Sequence, residues 1–177
     1  RDREELRRLE EELRRVFEES RRRSERSKKE LDKIVKEAEK ASKRSLDKLK
    51  RVFDELRRRG LPEEVLDELK KLLDEIERVN RDVLKKIREL LREIEELNRE
   101  VIDRNKKTLD KITEDLRRRG ADEDVLRDAR ELIERDREEL ERVLRDSDRL
   151  VREIKKRIEE MLKRSEDLIE EIERRAR

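Results

Sequence analysis

The chain has 177 residues, of which 61% are charged and 31% are hydrophobic, and it contains no His, Cys, Trp or Tyr. Its 55 basic and 53 acidic residues nearly cancel, and its apolar residues are regularly spaced, so we do not expect a disordered polyelectrolyte. The absence of His and Cys removes the usual side chains for acid–base and thiol chemistry. No apolar run exceeds two residues, so we expect a soluble chain with neither a signal peptide nor a membrane span.

Two helix breaks divide the chain, and they share the same chemistry. Gly60 and Gly120 each follow three Arg residues and are followed within two residues by Pro62 or Asp122 and then by acids. Arg residues suit the negative C-terminal end of a helix dipole, and Gly adopts the left-handed conformation that ends a helix. Pro or Asp with acids in the first turn begins the next helix. The sequence therefore predicts three helices joined by two short loops.

Each predicted helix carries an apolar stripe that repeats every 18 residues, as at Leu73, Leu91 and Leu109. Eighteen residues make five turns of an α-helix, so the stripe gives no bias towards supercoiling. Each stripe is wider than a two-stranded seam, which suits a core shared by three helices. We therefore predict an all-α fold, a single antiparallel up-down-up bundle of three long, nearly straight helices across residues 1–177. The helices should span roughly 2–59, 62–119 and 122–176. Because stripes, loops and charges agree with one fold, we expect a hyperstable protein.

Polar residues on these stripes are the most informative feature of the sequence. They are Ser20, Ser24, Ser27, Ser42 and Ser45 on the first helix, Asn80, Asn98, Asn105 and Thr108 on the second, and Asp136, Ser147 and Ser165 on the third. The loops place residue i of the first helix level with roughly 121 minus i on the second and roughly i plus 120 on the third. This register gives three layers: Ser24 and Ser27 with Asn98 and Ser147; Ser42 and Ser45 with Asn80 and Ser165; Asn105 and Thr108 with Asp136.

We interpret these layers as hydrogen-bond networks that fix helix order and register, with a ligand or ion site as the alternative. A buried amide or hydroxyl without a partner costs about 1 to 3 kcal/mol, so residues in one layer are expected to bond to one another. Asp136 either joins its layer as a buried carboxylate bonded to Asn105 or turns to the surface, and the register favours the first. Asn98→Leu should then destabilise the fold by about 1 to 3 kcal/mol, because its serine partners stay buried and unpaired.

The sequence contains no motif for catalysis, a cofactor or a metal. It lacks a Gly-x-Ser-x-Gly elbow, a Gly-rich phosphate loop, a Glu-x-x-His pair and the ligand spacing of a calcium loop. The Arg runs at 21–23, 57–59 and 117–119 are offset by acids within a turn, and no aromatic residue is placed to stack on a base. We therefore predict that the protein is not an enzyme, has no catalytic, cofactor-binding or metal-binding residues, and binds neither nucleic acid nor a membrane.

As a whole, the chain resembles de novo designed helical bundles, particularly parametrically generated bundles with buried hydrogen-bond networks. The resemblance rests on its idealised helices, its Leu, Ile and Val core, its charged surface, its near-duplicate loops at Gly60 and Gly120 and its layers of Ser and Asn. It implies a structural scaffold with no natural biochemical activity.

The first helix departs from that style, because its stripe combines five serines with Ala38 and Ala41. Small residues fill less volume, so this helix either packs loosely or faces a partner. The alternative function is therefore helix-mediated association, either as a homo-oligomer or as a receptor for an external, designed helix.

Overall fold

The structure is a computed structural model that describes residues 2–175; the side chains of Asp2, Arg3 and Leu6 are outside this description. Three helices make up almost all of it: α1, Asp2–Arg58; α2, Glu63–Arg119; and α3, Glu123–Arg175. The described helix ends agree with the predicted ones to within one residue, and the predicted end at residue 176 lies outside the described residues. Within residues 2–175 there is no strand, and the chain is an all-α three-helix bundle.

Both loops contain a glycine in the left-handed conformation, as predicted. Gly60 has a φ of 78° and Gly120 a φ of 75°. The amide of Gly60 donates to the carbonyl oxygen of Arg57 at 3.2 Å, and that of Gly120 donates to the carbonyl oxygen of Leu116 at 3.0 Å. These bonds satisfy carbonyl groups that the end of a helix leaves without an intrahelical partner.

The residues before α2 and α3 satisfy amides of the first helical turn. The carbonyl oxygen of Pro62 accepts hydrogen bonds from the amides of Val65 at 3.0 Å and Leu66 at 3.1 Å. The carboxylate of Asp122 accepts from the amide of Glu123 at 2.9 Å. A carboxylate here also faces the positive end of the α3 dipole, which explains why Asp stands at this loop position.

Contacts divide the described residues into two compact units, each containing one segment of every helix. The first unit combines residues 2–30 with 92–150, and the second combines residues 31–91 with 151–175. The single domain that the sequence predicts across residues 1–177 stays a prediction.

Ion pairs within each unit show that consecutive helices run antiparallel. In the second unit Glu39 of α1 pairs with Arg88 of α2 at 2.9 Å, and Lys50 pairs with Glu77 at 3.2 Å, so partner numbers fall as α1 advances. In the first unit the same reversal relates α2 to α3. There, Arg104 pairs with Glu139 at 3.0 Å, and Arg119 pairs with Asp128 at 3.9 Å. All four pairs agree with the predicted register to within about two turns.

Apolar side chains from all three helices form the core of each unit. In the first unit one cluster contains Leu9, Leu13, Val16, Ile112, Ala129 and Ile133, and a smaller one contains Val101, Leu140 and Val143. In the second unit the cluster contains Leu49, Leu56, Leu69, Leu73, Ile76, Leu168, Ile169 and Ile172. These residues occupy the predicted stripes, so burial of the stripes positions the polar residues that lie between them.

The small residues of α1 differ in burial. Ser20, Ala38 and Ser42 are buried. Ala41 and the remaining serines of the stripe, which are Ser24, Ser27 and Ser45, are half-buried. The core-facing side of α1 therefore alternates between buried and half-buried small residues. That this helix faces a partner stays a prediction.

We expect Gly60→Ala to lower the free energy of unfolding by about 1 to 2 kcal/mol, because an L-residue is strained in the left-handed region. A Cβ at Gly60 would meet no atom within 4 Å, so the loss would report backbone conformation rather than a clash. Chemical denaturation measures it. Gly60→Asn is the control and should lose less, since Asn tolerates this conformation better. Equal losses in the two variants would contradict this explanation.

Candidate functional site

A hydrogen bond between buried side chains joins α1 to α2 in the first unit. The Asn105 amide nitrogen Nδ2 donates to Ser20 Oγ at 2.9 Å. The Ser20 hydroxyl in turn donates to the carbonyl oxygen of Val16, one turn earlier on α1, at 2.9 Å. Asn105 Oδ1 is buried and has no hydrogen-bond partner. The predicted layers do not include Ser20, although the sequence register places it about one turn from Asn105, the same offset as for Ser27 and Asn98.

Asp136 of α3 is buried in the same unit, with 6% of its surface exposed. Thr108, which follows Asn105 by three residues on α2, hydrogen-bonds to Asp136. Burial raises the pKa of Asp136 above its ordinary value of 3.8. The Thr108 bond and the positive charge of Arg104 lower this pKa, and the negative charge of Glu139 raises it. The predicted burial of Asp136 is confirmed. Thr108 of the same predicted layer is a hydrogen-bond partner, and the predicted bond between Asp136 and Asn105 stays a prediction.

The second unit contains the equivalent bond between α1 and α2. The Asn80 amide nitrogen Nδ2 donates to Ser42 Oγ at 3.1 Å, and both side chains are buried. This confirms the predicted pairing of Ser42 with Asn80. Ser165 is also buried, but its hydroxyl donates to the carbonyl oxygen of Met161 on its own helix at 3.1 Å. Ser45 is only half-buried. The predicted four-residue layer is therefore reduced to one pair between helices.

The predicted layer of Ser24, Ser27, Asn98 and Ser147 is wrong. Ser24, Ser27 and Asn98 are half-buried rather than part of the core. Ser147 is buried, but its hydroxyl oxygen has no hydrogen-bond partner. The destabilisation expected for Asn98→Leu rested on buried serine partners, and the structure does not provide them.

Asn98 lies at the edge of the buried stripe of α2. On α2 the buried stripe passes from Ile94 to Val101, and Leu97 and Asn98 are both half-buried on either side of that line. A step of three residues along a helix ends about 60° short of a full turn, and a step of four residues ends about 40° beyond it. Asn80 takes the same four-residue step beyond the buried Ile76 and is itself buried, so the 18-residue repeat does not by itself decide which Asn lies in the core.

Ser24 and Asn98 instead line an open groove of about 260 Å³ between α1 and α2 of the first unit. The other lining residues are Glu25, Lys28, Glu95, Arg99 and Ile102. The charges of the two acidic and two basic side chains balance, and Ile102 is the one apolar side chain among the lining residues. This surface has neither the enclosed apolar wall nor the convergent polar groups of a typical small-molecule site.

The buried polar side chains of the described residues are groups that form hydrogen bonds. They are hydroxyls, amides and the Asp136 carboxyl group. Within residues 2–175, no three His, Cys, Asp or Glu side chains are grouped so that they could hold a metal ion. None of the three described helices is both long and apolar enough to cross a membrane. Comparisons of the chain with protein-family models, curated proteins and solved structures found no match.

We expect Asn80→Leu to lower the free energy of unfolding by about 1 to 3 kcal/mol, because Ser42 would lose its buried donor. Asn98→Leu is the matched control, and its effect should stay within about 0.5 kcal/mol because Asn98 is half-buried. Urea or guanidinium denaturation measures both. Adding Ser42→Ala to Asn80→Leu should recover much of the loss, since no orphaned group then remains. Equal losses for the two Asn variants would contradict the assignment.

Proposed function

We propose that this protein is a structural scaffold of de novo designed type, without catalytic activity, in which buried Ser–Asn hydrogen bonds specify helix register. The observation that carries the proposal is the presence of one such bond in each unit. Ser20 accepts from Asn105 at 2.9 Å in the first unit, and Ser42 accepts from Asn80 at 3.1 Å in the second. Both bonds join α1 to α2 and are buried.

The apolar stripes alone specify register weakly. An 18-residue repeat presents similar Leu, Ile and Val surfaces after five turns, so a shifted helix would still bury apolar area. A shift of α1 against α2 by one repeat would bring Ser42 level with Asn98 or Ser24 level with Asn80, but it would separate Ser20 from Asn105 and leave these two buried groups without their partners. Each orphaned group costs about 1 to 3 kcal/mol, so the native register is favoured over its competitors.

Features of construction support a designed origin for the scaffold. Its two loops end helices in the same way, with φ values of 78° and 75° at the two glycines. Acids stand in the first turns of α2 and α3, and basic residues stand in the last turn of each helix, as the helix dipole favours. Local and global preferences therefore agree, which is the criterion used in constructing idealised folds.

Helix-mediated association is the second candidate function. The half-buried polar residues Ser24, Ser27 and Asn98 favour it, because a helix from another chain could offer them hydrogen bonds. Burial of the apolar residues favours the monomer instead. Every large apolar side chain whose burial is described is at least partly buried within the chain. Association of soluble proteins usually uses exposed apolar surface, so we prefer the monomeric scaffold.

We expect a mass near 21.9 kDa in solution, that of one chain, from light scattering after size exclusion. The apolar stripes are used within the chain, so dilution should not change the mass. A multiple of this value over a range of concentrations would favour the association module.

Replacing both Ser–Asn pairs by apolar residues should separate specificity from stability. In Ser20→Ala/Asn105→Leu/Ser42→Ala/Asn80→Leu, donors and acceptors are removed together, so stability should stay level or rise. The mass distribution or the amide NMR spectrum should broaden, because shifted registers and added chains are no longer penalised. Ser24→Ala/Ser27→Ala/Ser45→Ala, at half-buried serines, is the control. A four-fold variant that stays as homogeneous as this control would contradict the proposed role of the pairs.

A further inference from the structure

Asn105 has a buried acceptor that requires a donor. The Ser20 hydroxyl gives its one proton to the carbonyl oxygen of Val16, so Ser20 Oγ can only accept from Asn105. The amide nitrogen Nδ2 must therefore face Ser20, which fixes the orientation of the amide group. Its other end, Oδ1, is buried without a hydrogen-bond partner. A donor at this position would remove the penalty for burying a carbonyl group unpaired.

Asp136 is placed to be that donor. Thr108 follows Asn105 by one turn on the same buried face of α2, and it hydrogen-bonds to Asp136. The neighbours of Asp136 on the buried face of α3 are Ile133 and Leu140, whose side chains have no donor. A protonated carboxyl group has both an O–H donor and a carbonyl acceptor. It can therefore accept from Thr108 and donate to a second residue at the same time.

We propose that this layer is a proton-binding site, in which Asp136 takes up a proton from solvent and donates the resulting O–H to Asn105 Oδ1. The bond closes a chain that runs from Thr108 to Asp136, Asn105, Ser20 and the carbonyl oxygen of Val16. All three helices of the first unit then share one hydrogen-bonded path. Each of the four buried side chains then bonds to at least one other member of the chain, and Asn105 Oδ1 gains a donor.

The charged groups around Asp136 are paired with one another. On α2 Arg104 lies 3.0 Å from Glu139 of α3, and these are the two charges that act on Asp136. Glu12 of α1 pairs with Arg137, the residue after Asp136 on α3, at 2.8 Å. The charges of Arg104 and Glu139 act on Asp136 in opposite directions, and burial and the Thr108 bond are the larger influences on its pKa. Burial raises the pKa of Asp136, while Thr108 and then Arg104 act in the opposite direction.

Proton binding makes the stability of the fold depend on pH. The pKa of Asp136 in the folded state is above the ordinary value of 3.8 that it has when unfolded, so the folded state binds the proton more tightly. The stabilisation is complete below pH 3.8 and is lost as the pH rises through the folded-state pKa. Asp136→Asn keeps a donor and an acceptor but does not titrate. Relative to this variant, the wild type should become less stable as the pH rises through that range.

Asn105→Leu tests the bond itself by NMR titration of the Asp136 carboxyl carbon. A hydrogen bond to the neutral acid raises its pKa, so removal of Oδ1 should lower the pKa of Asp136 relative to the wild type. If burial alone raised it, the more apolar surroundings in Asn105→Leu would leave the pKa of Asp136 unchanged or raise it further. Those two outcomes would overturn the proposal. Asn80→Leu, the equivalent change in the second unit, is the control and should leave the pKa of Asp136 unchanged.

A measurement on the unaltered protein tests the same bond without a substitution. The side-chain carbonyl carbon of Asn105 should shift with pH at the midpoint of the Asp136 titration, because its acceptor gains and loses the bond. The side-chain carbonyl carbon of Asn80 should show no such transition. If the Asn105 signal does not follow the Asp136 titration, the proposed bond does not form.

Discussion

The cost of burying a polar group without a hydrogen-bond partner is the constraint on which this arrangement of helices depends. Apolar stripes supply most of the favourable burial, but similar surfaces recur along each helix. Ion pairs between helices, such as Lys50 with Glu77, lie largely in solvent and contribute about 0 to 1 kcal/mol each. A buried Asn opposite an apolar side chain is penalised more than such a pair is favoured. The few Ser–Asn pairs therefore discriminate between registers that the rest of the sequence treats alike.

Much of this architecture follows from local rules that a single sequence contains. Gly60 and Gly120 mark the helix ends because few residues other than Gly adopt a positive φ, and the structure has them at 78° and 75°. The loops then fix the register closely enough to pair Ser42 with Asn80. The same register predicts the burial of Asp136. These features depend on the position of a residue along the helix axis, and their prediction tolerates an error of one or two turns in that position.

Features that depend on side-chain packing could not be predicted as well. Asn80 and Asn98 are separated by one 18-residue repeat and look equivalent in the sequence, yet Asn80 is 2% exposed and Asn98 is half-buried. An ideal α-helix gives both positions the same angle, so the difference in burial depends on how neighbouring side chains pack, which the repeat does not encode. The unpaired hydroxyl of Ser147 belongs to the same class. The periodicity of the sequence predicts the apolar stripe, but side-chain packing determines which residues at the edges of the stripe are buried.

The open space around the two glycines has a consequence for how the helices are held together. A side chain at Gly60 or Gly120 would meet nothing within 4 Å, so the loops are exposed connections. The buried hydrogen bonds and apolar clusters, rather than these loops, determine the geometry between helices. The loops instead set the effective concentration of one helix near the next. Opening the backbone at Gly60 would therefore convert an intramolecular fold into a two-chain complex with the same internal contacts, and its assembly would follow mass action.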